Sequence, residues 1–386
     1  MRAWAEINLD AIKNNIQCIR KRTSPNAMVM AIVKADAYGH GVRDVASTLL
    51  ENGADRLGVA TADEAMQLRN EGFDVPVLIL GYVTPDDIER MINTDITLTV
   101  YDLDYARIIS QKASSLGKEC KIHIKLDTGM SRIGYVCSDD EDYIINSICE
   151  ISKLSHIQIE GIFSHFAKAD ETDTSYTHLQ FSRFKRITDK LDELGIHIPI
   201  KHICNSAGIL QYPEYHMDMV RSGIITYGLA PSDDVDISDT GLIPAMQFKA
   251  TVVHVKTLSA DTPISYGGRY TAKAGSKIAT VSVGYADGYS RVLSNKAQVL
   301  IKGHKANVIG NICMDQLMVD VSEIENINIG DEVILFGSDG NNMITVESVA
   351  SEIGTINYET ICVVGKRVPK VYIQNGKEVN VLNYLV

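Results

Sequence analysis

An α/β protein of two domains is what this amino-acid sequence predicts, an N-terminal (β/α)8 TIM-like barrel followed by a C-terminal β-rich domain. Two features point there. From residue 27 to about 228, short apolar strands alternate eight times with amphipathic helices. After about residue 240 the helical period nearly stops, and short strand-like pieces separated by Gly, Asp and Asn turns take over. At 386 residues the chain exceeds one ordinary core, so domains over 1–240 and 241–386 are expected. A doubly wound open sheet gives the same alternation and stays open on pattern alone.

The strands are expected near 27–35, 56–60, 76–81, 97–100, 121–127, 157–165, 201–206 and 219–228. Before them, Leu9, Ile12, Ile16 and Ile19 mark a helix over 9–22. Thr61 and Glu64 have the spacing of a capping box, with Gly72 where that helix ends. Thr84 and Pro85 start another helix, with Ile88, Met91 and Ile92 on one face. The segment 174–195 turns Phe184, Ile187, Leu191 and Leu194 inward. In the second domain, strands are expected over 249–257, 277–283, 298–301 and 332–336, and one helix near 345–352 capped by Thr345.

With 45% hydrophobic and 22% charged residues the composition is that of an ordinary globular protein. The net charge of −12, without a basic block, repels a phosphate backbone and argues against nucleic acid. No apolar run approaches the ~20 residues that cross a bilayer. The first residues lack the apolar core of a signal peptide, and seven scattered cysteines show neither close pairs nor metal-ligand spacing. A cytoplasmic location and no metal are expected.

Chemistry in such barrels gathers at the C-terminal ends of the strands. Lys34 follows the apolar run 27–33; Lys125 and Asp127 close the fifth strand, His165 the sixth, Asn205 and Ser206 the seventh, and Arg221 lies in the eighth. Alternation puts His123, Lys125 and Asp127 on the inward face of strand five. His123 and His202 read as satisfied core residues. A lysine that forms a Schiff base must be reachable, rigidly held and neutral when it attacks, which Lys34 and the Gly-containing turn after it allow. Asn205-Ser206 and Ser222-Gly223-Ile224 supply hydroxyls and backbone N–H groups for a phosphate.

These stretches carry a resemblance. Ala31 through Gly41, Lys125 through Gly134, Ser164-His165-Phe166, Val220 through Ile224, Ser265-Tyr266-Gly267, Gly284 through Tyr289, Cys313 through Gln316 and Asn357-Tyr358-Glu359 occur in order along nearly the whole chain. The sequence resembles the alanine racemases. The resemblance implies pyridoxal 5′-phosphate held by Lys34, with Tyr38, Asn205, Ser206, Gly223, Ile224 and Tyr358 around it and Arg221 facing its pyridine nitrogen. It implies two bases on opposite faces of the substrate, Lys34 and Tyr266, with Tyr266 reaching the site of a partner chain in a homodimer, and a line from Tyr266 to His165 to Arg221. Lys125 is implied to be carbamylated beside Arg132, although a lysine bonded to Asp127 or to a bound anion stays open. Arg132 and Met314 are implied on the substrate, and Tyr285, Asp170 and Asn311 at the entrance. The implied reaction interconverts L- and D-alanine for peptidoglycan, with a serine-accepting racemase as the alternative. Arg221 argues against related decarboxylases, which carry an acidic residue there. The β-rich domain argues against non-catalytic cofactor-binding barrels, which lack one. Two positions depart from the family: Asn311 stands where Arg is common, and Ser222 replaces a bulkier residue.

Overall fold

A computed structural model describes residues 1–138 and 140–386. The chain divides into two compact units. One comprises Ala11–Ala37 and Val42–Ile243, the other Met1–Asp10, Tyr38–Gly41 and Pro244–Val386.

Strand β1 (Ala3–Asn8) leads into helix α1 (Leu9–Arg22), which buries Leu9, Ile12, Ile16 and Ile19 as their spacing predicts. The larger unit then holds β2 (Met28–Ile32), β3 (Arg56–Val59), β4 (Val77–Ile79), β5 (Leu98–Val100), β6 (Cys120–Asp127), the short β7 (Tyr135–Val136), β8 (Ile157–Phe163), β9 (Ile200–His202) and β10 (Met219–Ser222). Parallel pairing runs β10-β2-β3-β4 and β5-β6-β8-β9. A bridge from Leu78 to Thr97 joins the first run to the second. The amides of Asp218 and Arg221 donate to the carbonyls of Lys201 and Cys204 at 3.1 and 3.0 Å, which returns β9 to β10. The ring therefore closes, and the open-sheet alternative falls. Among the described residues eight parallel strands form it, each at its expected place but mostly shorter. β2 stops at Ile32, before Lys34, and β9 stops at His202, before Asn205 and Ser206. After β10 the chain turns into a 3-10 helix over Ile224–Tyr227 instead of continuing as strand.

The helices outside this ring start where their caps predict. Thr61 and Glu64 form a complete capping box ahead of Ala62–Asn70, and Pro85–Asn93 buries Ile88, Met91 and Ile92. Ser175–Glu193 buries Phe184, Ile187 and Leu191. Leu194 does not follow them: it is the C-cap residue and 60% exposed, because the chain leaves the helical path there.

In the other unit, Met246–Thr257 pairs antiparallel with β1, with Lys277–Val281 and with Glu332–Asp339. Leu317–Asp320, His304–Ile309 and Gln298–Ile301 complete a closed antiparallel ring around buried Phe248, Val281, Leu300, Val319 and Leu335. Thr345 accepts from the Ser348 amide to cap Val346–Ile353. A second short helix, Asn357–Cys362, was not expected. β1, read from sequence with the barrel, pairs instead with Met246–Thr257 and Lys370–Gln374. The backbone N–H and C=O groups on both of its edges need hydrogen-bond partners, and those strands supply them. No helix among the described residues is long and apolar enough to cross a membrane.

Candidate active site

Lys34 is half-buried and opens a turn that ordinary L-residues avoid. Ala35, Asp36, Ala37 and Tyr38 all have φ between +52 and +56°, a left-handed turn without glycine. Such backbone costs ~1–2 kcal/mol per residue, so the surrounding structure must hold it. The Ala35 amide donates to Glu64 Oε1 at 2.7 Å, the Ala37 amide to the Val33 carbonyl at 2.9 Å, and the Val42 amide to Asp36 Oδ1 at 2.9 Å. Glu64 does this while also accepting from the Ala60 and Thr61 amides of its capping box. The helix start and the lysine turn therefore share one carboxylate.

Arg221, on β10, is buried beside the end of β8. Its Nη2 donates to the carbonyls of Ser164 and Ile203 at 2.8 and 2.9 Å and to His165 Nδ1 at 3.2 Å. Its Nη1 donates to His202 Nδ1 at 2.8 Å. Its Nε has no hydrogen-bond partner among the described residues. Burial lowers the guanidinium only to about 10, so it stays charged. Burial, followed by the cations of Arg221, Arg132, Lys125 and Lys34, pushes His165 well below its ordinary value. His165 is therefore a neutral imidazole with Nδ1 committed as acceptor.

Lys125 is buried on β6, where its Nζ donates to the Leu126 carbonyl at 2.6 Å and lies 5.2 Å from the Phe163 ring centroid. Burial and Arg221 bring its amine down to about 7 against the opposing pull of Asp127. Asp127 is spent elsewhere, accepting from the amides of Gly129 and Ser131 at 2.9 and 3.0 Å and shaping the turn toward exposed Arg132. At the ends of β9 and β10, Ser206 Oγ accepts from the Gly223 amide at 3.0 Å, and Asn205 Oδ1 accepts from the Gly208 amide at 3.0 Å. Ile224 is buried beside them, and Ser222 exchanges a hydroxyl hydrogen bond with Thr226. Half-buried Asp170 accepts from Ser232 Oγ through its backbone carbonyl.

In the β-rich unit, buried Tyr38 packs against Tyr358 with ring centroids 6.2 Å apart. Burial and Tyr358 raise the Tyr38 phenol above its ordinary value, which leaves it a neutral hydroxyl. Tyr266 is exposed, but its backbone is clamped: Asn311 Nδ2 donates to the Tyr266 carbonyl at 2.6 Å, and Ser265 Oγ donates to the Asn311 carbonyl at 2.6 Å. Asn311, expected as an entrance residue, thus holds the Tyr266 turn with its side chain. Tyr285 and Met314 lie on facing stretches joined by Tyr285 N to Cys313 O and Ala286 N to Met314 O, both 3.1 Å.

Family models match both units, "Alanine racemase, N-terminal domain" over residues 7–231 and "Alanine racemase, C-terminal domain" over 245–372. The chain belongs to the alanine racemase family. An alanine racemase of Methanococcus maripaludis is 51% identical over 96% of this chain and 98% of its own. One of Clostridium perfringens is 48% identical over 99% and 98%. The solved alanine racemase of Clostridium difficile 630 superposes with a TM-score of 0.95 at 43% identity, covering 100% of this chain and 99% of its own. As a member of the alanine racemase family the chain is an enzyme, an isomerase.

His123 and His202 are the satisfied core residues that the sequence predicts, both fully buried and hydrogen-bonded. Glu160, hydrogen-bonded to His123 and Arg56, is the residue that the sequence reading misses. A carboxylate inside the apolar strand Ile157–Phe163, next to a glycine, was the available signal.

Proposed function

We propose that the protein interconverts L- and D-alanine using pyridoxal 5′-phosphate bound at the C-terminal rim of the barrel. The observation that carries this is Arg221: buried, charged, its Nη atoms committed to the barrel and its Nε left with a proton to donate. An always-protonated guanidinium suits an unprotonated pyridine nitrogen, because it donates a hydrogen bond and gives up no proton. Lys34 would hold the cofactor covalently. Ser206, Gly223, Ile224, Tyr38 and Tyr358 would surround its phosphate, with Asn205 shaping the loop. Bound there, the cofactor weakens the Cα–H bond of the amino acid attached to it.

The chain's own residues do the rest. Lys34 takes or returns the Cα proton on one face, and Tyr266 of the partner subunit on the other. His165, neutral and fixed by Arg221, stands between that phenol and the guanidinium. Arg132 and the backbone N–H of Met314 of the partner subunit receive the substrate carboxylate. Lys125 is carbamylated: its Nζ bonds to the carbon of CO₂ and loses a proton, which turns a buried cation into an anion that Arg132 can pair with. Asp170, Tyr285 and Tyr358 narrow the entrance to a methyl-sized side chain. The working unit is a cytoplasmic homodimer with shared sites, and its D-alanine supplies peptidoglycan.

The test is loss of optical rotation from L-alanine by the cofactor-loaded protein, followed by borohydride reduction and peptide mapping. Racemisation with a phosphopyridoxyl adduct on Lys34, and kcat/KM for serine well below that for alanine, is expected. An adduct elsewhere would refute the assignment of Lys34, and equal turnover of serine would refute the pocket.

A further inference from the structure

The hydrogen bonds of Arg221 continue away from the rim, through the barrel, as one line contributed by five strands. From Arg221 on β10, Nη1 donates to His202 Nδ1 at 2.8 Å. His202 Nε2 lies 2.9 Å from His123 Nδ1, and His123 Nε2 lies 3.1 Å from Glu160 Oε2. Glu160 is closed off by Arg56 of β3 in a two-point pair at 2.7 and 3.2 Å. Both histidines are fully buried.

The two ends leave one arrangement of protons. Arginine only donates, so His202 Nδ1 must accept and Nε2 must carry the proton. That proton points at His123 Nδ1, which therefore accepts, and His123 Nε2–H donates to a carboxylate that only accepts. Burial lowers both imidazoles and keeps them neutral. Burial opposes ionisation of Glu160, but hydrogen bonds from His123 and Arg56 carry it down to about 2, so the anion is permanent.

The packing is built for these rings. A Cβ on Gly161 would lie 2.5 to 2.7 Å from three atoms of the His123 ring, so only glycine leaves room for it. Phe163 stacks on His202 with centroids 4.8 Å apart and planes 5° off parallel. Histidines serving merely as filler need neither feature.

We propose that Glu160 and His123 are positioning residues for racemisation, acting through His202 to hold Arg221 in one orientation with its Nε turned to the site. The carboxylate polarises the two neutral rings in series, so that His202 presents a fixed, electron-rich Nδ1 to the guanidinium. The line acts by orientation and charge, and no proton moves along it. Its catalytic consequence rests on the role given above to Arg221.

The test uses cofactor-loaded enzyme labelled with ¹⁵N-histidine, wild type and Glu160→Leu. Wild type should show His123 and His202 as neutral rings protonated on Nε2. Glu160→Leu leaves the His123 Nε2–H without its acceptor, so it should move that ¹⁵N resonance away from its wild-type position and lower kcat for alanine by ~10–100-fold, the range typical of an outer hydrogen-bond partner, with KM nearly unchanged. Glu160→Gln keeps an acceptor oxygen and should restore the His123 Nε2 resonance and most of the rate. Nδ1 protonation of either ring in wild type, or wild-type spectra and kcat in Glu160→Leu, would overturn the proposal. Should Glu160→Leu not fold, Gly161→Ala displaces the His123 ring without removing a polar group; the same losses are expected, and unchanged spectra and kcat refute it. If the wild type did not racemise alanine, the function above would fall, while the two tautomers would still decide the line.

Discussion

The two units keep their functional groups in opposite ways. In the barrel, Arg221, His202, His123 and Lys125 are buried and held by their own side-chain hydrogen bonds. In the β-rich unit, the side chains of Tyr266, Met314 and Tyr285 are 73, 51 and 42% exposed, and what is held is the backbone beneath them. Asp287, buried with the Gly284 amide on it and ion-paired to Arg2 and Arg367, anchors the turn that carries Tyr285. Buried polar groups must be satisfied from within, so they arrive preorganised. Exposed groups on a clamped backbone gain their final surroundings from whatever covers them, which accords with a face offered to a partner subunit.

The sharpest way to break this comparison is to separate the two bases. Tyr266→Phe keeps the ring's packing and the barrel intact, so cofactor binding should persist while racemisation falls on the order of 10³-fold, within the range of general acid–base catalysis. D-alanine should still exchange its Cα proton with deuterated solvent through Lys34, and L-alanine should not. Mixing this variant with Lys34→Ala should restore activity once subunits exchange, since heterodimers rebuild one site. Verified exchange without activity would sink the shared site.

Lys125 tests the barrel side alone. Its amine, lowered to about 7 by burial and Arg221, is free to attack CO₂ above that pH and protonated below it. In CO₂-free buffer activity should drop about tenfold, ~1.4 kcal/mol, more severely at pH 6 than at pH 8, and bicarbonate should restore it. A ¹³C carbamate signal lost in Lys125→Ala assigns the site; its absence in wild type refutes carbamylation. The sign for stability follows from the same depression. Between about 7 and the ordinary lysine value the unfolded chain binds the extra proton, so unmodified protein should gain stability as pH rises through that window.

The smallest effect belongs to the backbone clamp. Asn311→Ala removes a hydrogen bond worth ~0.5–1.5 kcal/mol from the Tyr266 turn, so kcat from L-alanine should fall ~2–10-fold. D-alanine exchange should not change. An equal loss of D-alanine exchange would mean that Asn311 acts on the site as a whole and not on Tyr266.

Local rules carried the sequence a long way. Apolar alternation located the eight barrel strands, and Thr61, Glu64, Pro85 and Thr345 marked helix starts, because capping and periodicity act over a few residues. The motifs led to Lys34, His165, Arg221 and Tyr266 one by one. Tertiary structure decided what needed a partner far along the chain. It assigned β1 to strands some 240 and 365 residues later. It imposed a left-handed turn after Lys34 that local preference opposes, using Glu64 from another helix start. It set His123 against His202, 79 residues apart, and Glu160 against both His123 and Arg56. Alternation says that such side chains face inward, but strand register across a closed barrel selects which of them meet, and register is a property of the assembled sheet.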